Sequence, residues 1–203
     1  MLKRAMDVSV AVLLLVAMSV PMMVVALLVR WTMGAPVFFR QTRPGLHAKP
    51  FELTKFRTMD HATDDKGNPL ADEARLTPLG RWLRKLSLDE LPQFIEVLRG
   101  DMSRVGPRPP MMEYLLLYTP EKARRHEVRP GITGWAQVNG RNAQSWEDRL
   151  RLDVWYVDHR SLWLDLKILW LTFVKVIRPE GVSRPGHATM PRFTGNRGEP
   201  RNG

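Results

Sequence analysis

The feature that most constrains the fold of this chain is an uninterrupted apolar segment near the N-terminus. From Val8 to Val29, 22 consecutive residues carry no charge. As an α-helix, at about 1.5 Å per residue, the segment would extend roughly 33 Å, enough to cross a ~30 Å hydrocarbon core. The segment is longer than the apolar core of a signal peptide, and no small-x-small cleavage motif follows it. A cleaved signal peptide is therefore disfavoured.

Two observations weigh against a simple crossing. Pro21 lies in the second half of the segment, where it removes a backbone donor and kinks a helix. Positive charges flank both ends, with Lys3 and Arg4 before the segment and Arg30 after it, and such charges favour the cytoplasmic side. The sequence leaves two structures open: a kinked transmembrane helix, or a helix–break–helix hairpin that enters and leaves the membrane on one side.

The rest of the chain is hydrophilic and basic. The 203 residues carry a formal net charge of +10 and include no cysteine. A sequence without cysteine excludes a disulfide scaffold, a thiolate zinc site, an iron–sulfur cluster and a cysteine nucleophile. A basic excess favours an anionic partner, which is a nucleic acid, an acidic lipid or a phosphorylated small molecule.

The sequence pattern predicts a mainly α fold with a small β-hairpin, that is, an α+β class. Short runs rich in Val, Phe and Thr at 37–41 and 51–57 flank a Pro-Gly turn, which predicts the hairpin. The segment 162–177 is apolar but interrupted by charge, and suits either an interfacial amphipathic helix or a core helix. Helical spacing and capping signals predict further helices starting at 78 and over 88–99, 111–118, 120–128 and 146–159.

Asp89 and Glu90 form a pair of adjacent acids with two competing explanations. Ser87 and Glu90 have the spacing of a capping box, and acids are common in a first helical turn. That register puts Pro92 inside the helix, where it costs a hydrogen bond. With Asp89 as the N-cap, Pro92 falls where no bond is lost, and the two carboxylates suit a divalent cation and an attacking oxygen. The sequence leaves both explanations open.

Two loops and one helix face carry candidate phosphate-binding groups. A Val-Gly-Pro-Arg-Pro loop holds Arg108 between two prolines, and a rigidly held guanidinium suits bidentate phosphate binding. The segment 129–141 combines glycines and a tryptophan with the donors Gln137 and Arg141, which suits a nucleotide or sugar pocket. Arg84 lies on a basic helix face suited to phosphates or lipid headgroups. These loops match neither a dinucleotide fingerprint nor a P-loop.

Six motifs that follow the apolar segment resemble, in their sequence and order, those of the bacterial sugar transferase family, the small monotopic phosphoglycosyl transferases. The resemblance runs from Lys3 to about residue 194. Within the family it is greatest to the minimal catalytic-domain members, such as those that transfer diacetylbacillosamine phosphate to a polyprenol. The motifs that carry it are Lys55-Phe56-Arg57-Thr58-Met59, Ser87-Leu88-Asp89-Glu90-Leu91, Gly100-Asp101-Met102-Ser103, Val105-Gly106-Pro107-Arg108-Pro109, Arg129-Pro130-Gly131-Ile132-Thr133-Gly134-Trp135 and Leu152-Asp153-Val154-Trp155-Tyr156.

The resemblance implies a monotopic protein on the cytoplasmic face of the bacterial inner membrane. Residues 1–34 would form a re-entrant hairpin, 35–183 a catalytic domain with interfacial amphipathic helices, and 184–203 a mobile basic tail. The family's re-entrant helix breaks at Ser-Pro, whereas this sequence reads Ser19-Val20-Pro21, so we expect the break between Ser19 and Pro21.

The implied reaction moves a sugar 1-phosphate from a UDP-sugar to polyprenyl (undecaprenyl) phosphate, releases UMP and initiates glycoconjugate synthesis. The resemblance makes Asp89 the nucleophile of a covalent phosphosugar intermediate and Glu90 its partner. Both would hold Mg²⁺, with Mn²⁺ as the alternative. Anionic phospholipid and downstream glycosyltransferases are expected partners, and nucleic acid is not. The expected substrate- or phosphate-binding residues are Lys55, Arg84, Arg108, Gln137, Arg141 and Asp153. The sequence specifies neither the sugar nor the oligomeric state.

Two other functions compete with the transferase. A membrane-bound, Mg²⁺-dependent pyrophosphatase acting on nucleotide sugars would use Glu90 and a metal to activate water, without a covalent intermediate. A membrane-anchored scaffold or nucleic-acid binder would concentrate Lys and Arg on one element that fits a nucleic-acid groove. In such a protein the paired acids Asp89 and Glu90 would have no function. The basic residues are spread over several predicted helices, which favours the transferase.

Overall fold

The computed structural model describes residues 1–68, 70–140, 144–177 and 192–195. Helices dominate, together with one antiparallel hairpin, which confirms the predicted fold class at this level. The α-helices are α1 Leu2–Ala17, α2 Ser19–Met33, α3 Asp72–Arg75, α4 Pro78–Lys85, α5 Phe94–Arg99, α6 Pro120–Ala123, α7 Trp135–Gly140, α8 Trp146–His159 and α9 Leu162–Ile177. The strands are β1 Phe38–Pro44, β2 Pro50–Phe56, β3 Ser103–Val105 and β4 Gly131–Thr133. The 3₁₀ helices are Leu46–Ala48, Leu88–Gln93, Met112–Leu117 and Arg124–Glu127.

The predicted hairpin is confirmed, with a longer first strand than the sequence indicates and a second strand of the predicted length. β1 and β2 pair antiparallel over seven residues each, from Phe38 opposite Phe56 to Pro44 opposite Pro50. Side chains alternate along a strand, so Lys55 shares the face of β2 on which Leu53 is buried. The hairpin packs on the 3₁₀ helix Leu88–Gln93 and thereby brings a cation to the acidic motif.

The apolar segment forms two helices with a sharp bend. α1 and α2 are bent by 61° at Met18, one residue before the predicted break region between Ser19 and Pro21. Pro21 does not cause the break, because it is the third residue of α2, where a missing N–H costs no helical bond. Among the described residues no single helix has the length and apolarity of a membrane span, whereas this bent pair meets both criteria together.

Polar side chains tie the start of α1 to the rest of the protein. The Lys3 ammonium pairs with Asp165 of α9. Arg4 donates to two main-chain carbonyl groups at the C-terminal end of α5, at 2.6 and 3.1 Å. The buried Asp7 carboxylate accepts a hydrogen bond from Arg104 of β3 at 2.9 Å. The first two turns of α1 are therefore attached to three other elements.

The second helix of the pair also ends on the same body. Val25 and Val29 of α2 are buried against Phe56 and Leu83. Arg57 donates to carbonyl groups that follow α2, at 2.8 and 3.1 Å. Between these two attachments the bent end of the pair exposes seven large apolar side chains, namely Val12, Leu13, Val16, Val20, Met23, Val24 and Leu27.

Three predicted helices differ from the structure. The segment 88–99 is a 3₁₀ helix followed by α5, because Pro92 interrupts α-helical hydrogen bonding. The segment 111–118 is 3₁₀ rather than α, and 120–128 divides into α6 and a 3₁₀ helix. The helices at 146–159 and 162–177 are confirmed.

Of the two alternatives for α9, the structure confirms the core helix, and the position in a membrane interface stays a prediction. Leu164, Asp165 and Ile168 are buried, so one side is part of the core. Trp163 and Trp170 are exposed on another side. The predicted tail 184–203 lies outside the described residues except for 192–195, where Phe193 is buried against aromatic rings.

Candidate active site

The backbone around the acidic motif is a 3₁₀ turn with an unusual entry. Ser87 has a left-handed conformation (φ 57°), and its side chain makes no capping hydrogen bond. The capping-box explanation is therefore wrong, because neither the Ser87 hydroxyl nor the Glu90 carboxylate, which binds Lys55 and Arg108, makes the hydrogen bonds of such a box. The alternative with Asp89 as N-cap is also wrong, since the 3₁₀ helix already begins at Leu88. Neither carboxylate serves as a helix cap.

Glu90 is saturated with cationic partners. Its carboxylate pairs with the Lys55 ammonium at 2.7 Å and accepts hydrogen bonds from both terminal nitrogens of Arg108. Burial alone would raise the pKa of Glu90, but Arg108 and Lys55 together lower it far below the ordinary range. Glu90 is thus a fixed negative charge that orders two cations.

Asp89 has the opposite environment. Only 6% of the residue is exposed, and its carboxylate has no hydrogen bond or ion pair with any part of the chain that the structure describes. Burial and the neighbouring Glu90 charge raise its pKa, although Lys55, Arg84 and Arg108 oppose the rise. A desolvated carboxylate that accepts no hydrogen bond from the protein is suited to bind a cation or attack an electrophile.

Arg84 reaches the site from α4. Its Nε donates to the Thr58 hydroxyl at 3.0 Å, and its guanidinium interacts electrostatically with Asp89. α4 lies directly on the chain that follows β2: a Cβ at Gly80 would approach the Thr58 carbonyl oxygen to 1.9 Å. Glycine at this position permits the approach that places Arg84 beside the acids.

Arg108 is held by a loop packed backbone to backbone against a second loop. β3 and β4 form a short parallel pair, which the sequence did not predict. Beside this pair, a Cβ at Gly134 would lie 2.2 Å from the Gly106 carbonyl oxygen. The two glycine motifs therefore form one scaffold, and Arg108 projects from it to Glu90. About a third of the Arg108 side chain (34%) is exposed, so a ligand can reach it.

Asp153 is connected to this group through Arg125 rather than through the acids. The fully buried pair Asp153–Arg125 has an N···O distance of 2.6 Å. Arg125 also donates to the main-chain oxygen of Arg108 at 2.7 Å and to the Tyr118 hydroxyl at 2.9 Å. Sequence reasoning gave no role to Thr58, although it lies in the motif Lys55–Met59, and it missed Arg125, because nothing local in that segment distinguishes Arg125 from a surface residue.

The structure brings together five of the residues that the sequence analysis singled out, namely Lys55, Arg84, Asp89, Glu90 and Arg108, and their roles stay predictions. Gln137 lies in α7 with both amide atoms buried and without a hydrogen-bond partner in the described ranges. Its role in substrate binding remains a prediction. Arg141 lies outside the described residues.

The donor chemistry at Asp89 fits a hard divalent cation. Mg²⁺ is typically bound by one or two carboxylates together with substrate phosphates. The free Asp89 carboxylate can supply one carboxylate ligand. The neighbouring Glu90 supplies a second carboxylate, which is already paired with Lys55 and Arg108. No cluster of three or more His, Cys, Asp or Glu side chains suited to a metal occurs within the described residues.

Comparison with known protein sequences shows the family of the chain. The sequence model of the bacterial sugar transferase family matches residues 1–179. The chain belongs to this family. It is 60% identical over 195 residues to the uncharacterized sugar transferase EpsL of Bacillus subtilis, covering 96% of both chains.

Two relatives whose names state an activity are longer than this chain. The chain is 43% identical to the UDP-glucose:undecaprenyl-phosphate glucose-1-phosphate transferase of Escherichia coli, over 86% of this chain and 40% of that enzyme. It is 38% identical to the UDP-N-acetylgalactosamine-undecaprenyl-phosphate N-acetylgalactosaminephosphotransferase of Aeromonas hydrophila, over 87% of this chain and 44% of that protein. The chain spans less than half the length of these two relatives.

Proposed function

We propose that the protein transfers a sugar 1-phosphate from a UDP-sugar to polyprenyl phosphate in two displacements, with Asp89 as the nucleophile. The observation that carries the proposal is the contrast between the two acids. Glu90 is neutralised by Lys55 and Arg108, whereas the adjacent Asp89 is buried and has no described protein partner. The names of the relatives support the same class of substrates.

In the first displacement an Asp89 carboxylate oxygen attacks the β-phosphorus of the UDP-sugar. The bond from that phosphorus to the bridging oxygen breaks, and UMP leaves with the electron pair. In the second displacement a phosphate oxygen of the acceptor attacks the same phosphorus, and the bond to Asp89 breaks. The products are UMP and a polyprenyl diphosphate sugar, and the Asp89 carboxylate is regenerated.

Lys55, Arg84 and Arg108 neutralise the phosphate oxygens that crowd the attacking carboxylate. These cations are held in place before the substrate binds, so little reorganisation is needed during the reaction. Mg²⁺, bound by Asp89 with Glu90 as the adjacent carboxylate, would supply additional positive charge to the diphosphate.

We further propose that the α1–α2 pair is a re-entrant anchor on the cytoplasmic face of the inner membrane. The start of α1 is attached to α5, β3 and α9, and the end of α2 packs on β2 and α4. Both ends of the pair therefore lie on the same body, while its bent end exposes a series of large apolar side chains. Such an anchor would hold Asp89 at the level of the acceptor phosphate, and anionic lipids would suit the basic surface.

A panel of UDP-sugars incubated with the full-length protein in detergent or nanodiscs, with and without polyprenyl phosphate, tests this function. We expect one UDP-sugar to give turnover only with acceptor, and about one equivalent of UMP without it. A pyrophosphatase would release UMP and sugar 1-phosphate continuously without acceptor. Continuous release of that kind would overturn the proposal.

A further inference from the structure

An exposed aromatic side chain, Phe39, lies at the edge of the site beside Lys55. Phe39 of β1 is the direct partner of Lys55 in the register of the hairpin. Side chains of such partners lie on the same face of the two strands, with Cβ atoms roughly 5 Å apart. The Lys55 ammonium reaches Glu90 at 2.7 Å, so this face of the hairpin turns towards the acids. Phe39 is therefore one side chain away from the ion pair of the site.

The exposure of Phe39 differs from that of the apolar residues on the same face. Phe51 and Leu53 of β2 are buried against the core, whereas Phe39 is 48% exposed. The Lys55 side chain between Leu53 and the end of the strand is itself only 21% exposed. The core thus covers most of this face and leaves the ring of Phe39 open. A cation and an uncovered apolar ring lie side by side at this point.

This end of the hairpin adjoins the α1–α2 pair. Phe38, which precedes Phe39, stacks on Phe56 with ring centroids 5.2 Å apart. Phe56 in turn packs on Val25 and Val29 of α2. With the α1–α2 pair in the membrane, as proposed above, the Phe39 end of the hairpin is the end of the site that lies nearest the lipid.

We propose that Phe39 binds the isoprene unit next to the phosphate of the polyprenyl acceptor. This inference rests on the transfer reaction proposed above. The acceptor has an anionic phosphate joined directly to an apolar chain, and Lys55 with Phe39 presents a cation directly beside an apolar ring. The UDP-sugar has no apolar chain, and it reaches the site from water rather than from the membrane. The acceptor is therefore the substrate whose chemistry matches this pair of side chains.

Steady-state kinetics of the full-length protein in detergent test this contact. In a reaction of two displacements, kcat/KM for each substrate reports only on the displacement in which that substrate takes part. Phe39→Ala should lower kcat/KM for undecaprenyl phosphate about five- to tenfold, because the acceptor loses the apolar surface of the ring. The value of kcat/KM for the UDP-sugar should not change. Phe39→Leu keeps an apolar side chain and should retain most of the activity with the acceptor.

Phe38→Ala is the matched control. Phe38 is the adjacent residue, is of the same type and has a similar exposure of 39%, but its side chain lies on the other face of β1. We expect kcat/KM for undecaprenyl phosphate to equal that of the parent. Thermal unfolding of both alanine variants shows whether either substitution disturbs the fold.

An unchanged kcat/KM for undecaprenyl phosphate in Phe39→Ala would overturn the inference. An equal loss in Phe38→Ala would also overturn it, since the effect would then come from the apolar character of the strand and not from one face. A loss confined to the UDP-sugar would assign the ring to the uracil base instead.

Failure of the proposed function gives a different result, because the parent would then show no acceptor-dependent transfer. In that case the binding of undecaprenyl phosphate to the parent and to Phe39→Ala still tests the contact. Weaker binding to Phe39→Ala would support it, and equal binding would refute it.

Discussion

At the scale of single residues, the two adjacent acids differ because of their neighbours rather than their positions in the sequence. Glu90 accepts hydrogen bonds from Lys55 and Arg108, so its charge is permanent. Asp89 is buried without such donors, and burial together with the Glu90 charge raises its pKa. A nucleophilic carboxylate must be deprotonated, so activity should fall as the pH decreases through this raised pKa.

Two substitutions should shift this fall of activity at low pH, the acidic limb of the pH–rate profile, in opposite directions. Glu90→Gln removes a negative charge and frees two cations, so the pKa of Asp89 decreases and the limb of kcat/KM shifts to lower pH. Lys55→Met removes a cation, so the limb shifts to higher pH and the rate falls by roughly 10²-fold. The measurement is the pH profile of residual transfer. A common direction for both variants would contradict the assigned nucleophile.

His126 should make stability depend on pH. Burial and the neighbouring Arg125 charge lower its pKa to about 4 from the ordinary 6.5. Between these values the unfolded chain binds a proton that the folded protein does not, so stability decreases as the pH falls from about 6.5 to about 4. The loss is on the order of 3 kcal/mol.

Thermal unfolding of the protein in detergent between pH 4 and 7 measures this effect. His126→Gln should flatten the decline relative to the parent. His61→Gln changes a histidine in an exposed loop and should leave the decline in place. An unaltered pH dependence in His126→Gln would show that other groups cause it.

At the scale of elements, close backbone contacts position the cations. The contact of α4 with Thr58 requires glycine at position 80. Gly80→Ala should destabilise the protein by about 1–3 kcal/mol and displace Arg84 from the acids, with a loss of transfer activity.

The midpoint of thermal unfolding measures the loss of stability, and the initial rate of sugar-phosphate transfer measures the loss of activity. Arg81→Ala, on an exposed face of the same helix, is the control and should change neither substantially. Wild-type activity and stability in Gly80→Ala would mean that α4 can shift without disturbing the site.

Long helices and the hairpin could be predicted because their signals are local. Helical spacing with a serine cap predicts α8, and the Pro-Gly turn between β-rich runs predicts the β1–β2 pair. The β3–β4 pair joins segments that are distant in the chain, and a single sequence does not reveal such a contact. The same reason applies within the site, where motifs predict Asp89, Glu90 and Arg108 but no local signal marks Arg125 as the partner of Asp153.

At the scale of the whole molecule, attachment of both ends of the α1–α2 pair to one body gives a testable topology. Because the native chain has no cysteine, Leu2→Cys provides a single label position. In intact cells it should resist labelling by a membrane-impermeant maleimide, as should His61→Cys in the catalytic body. Both positions should react after the membrane is opened. Labelling of Leu2→Cys alone in intact cells would indicate a true crossing.

The central claim is that a sugar phosphate is carried on Asp89 between the two substrates. The most direct measurement is the mass of the intact protein and of its proteolytic peptides after incubation with its UDP-sugar in the absence of acceptor. We expect a mass increase of one sugar phosphate on the peptide containing Asp89, discharged by polyprenyl phosphate and absent in Asp89→Asn. A protein that turns over with acceptor, yet never carries the adduct, or carries it on another residue, would contradict the account.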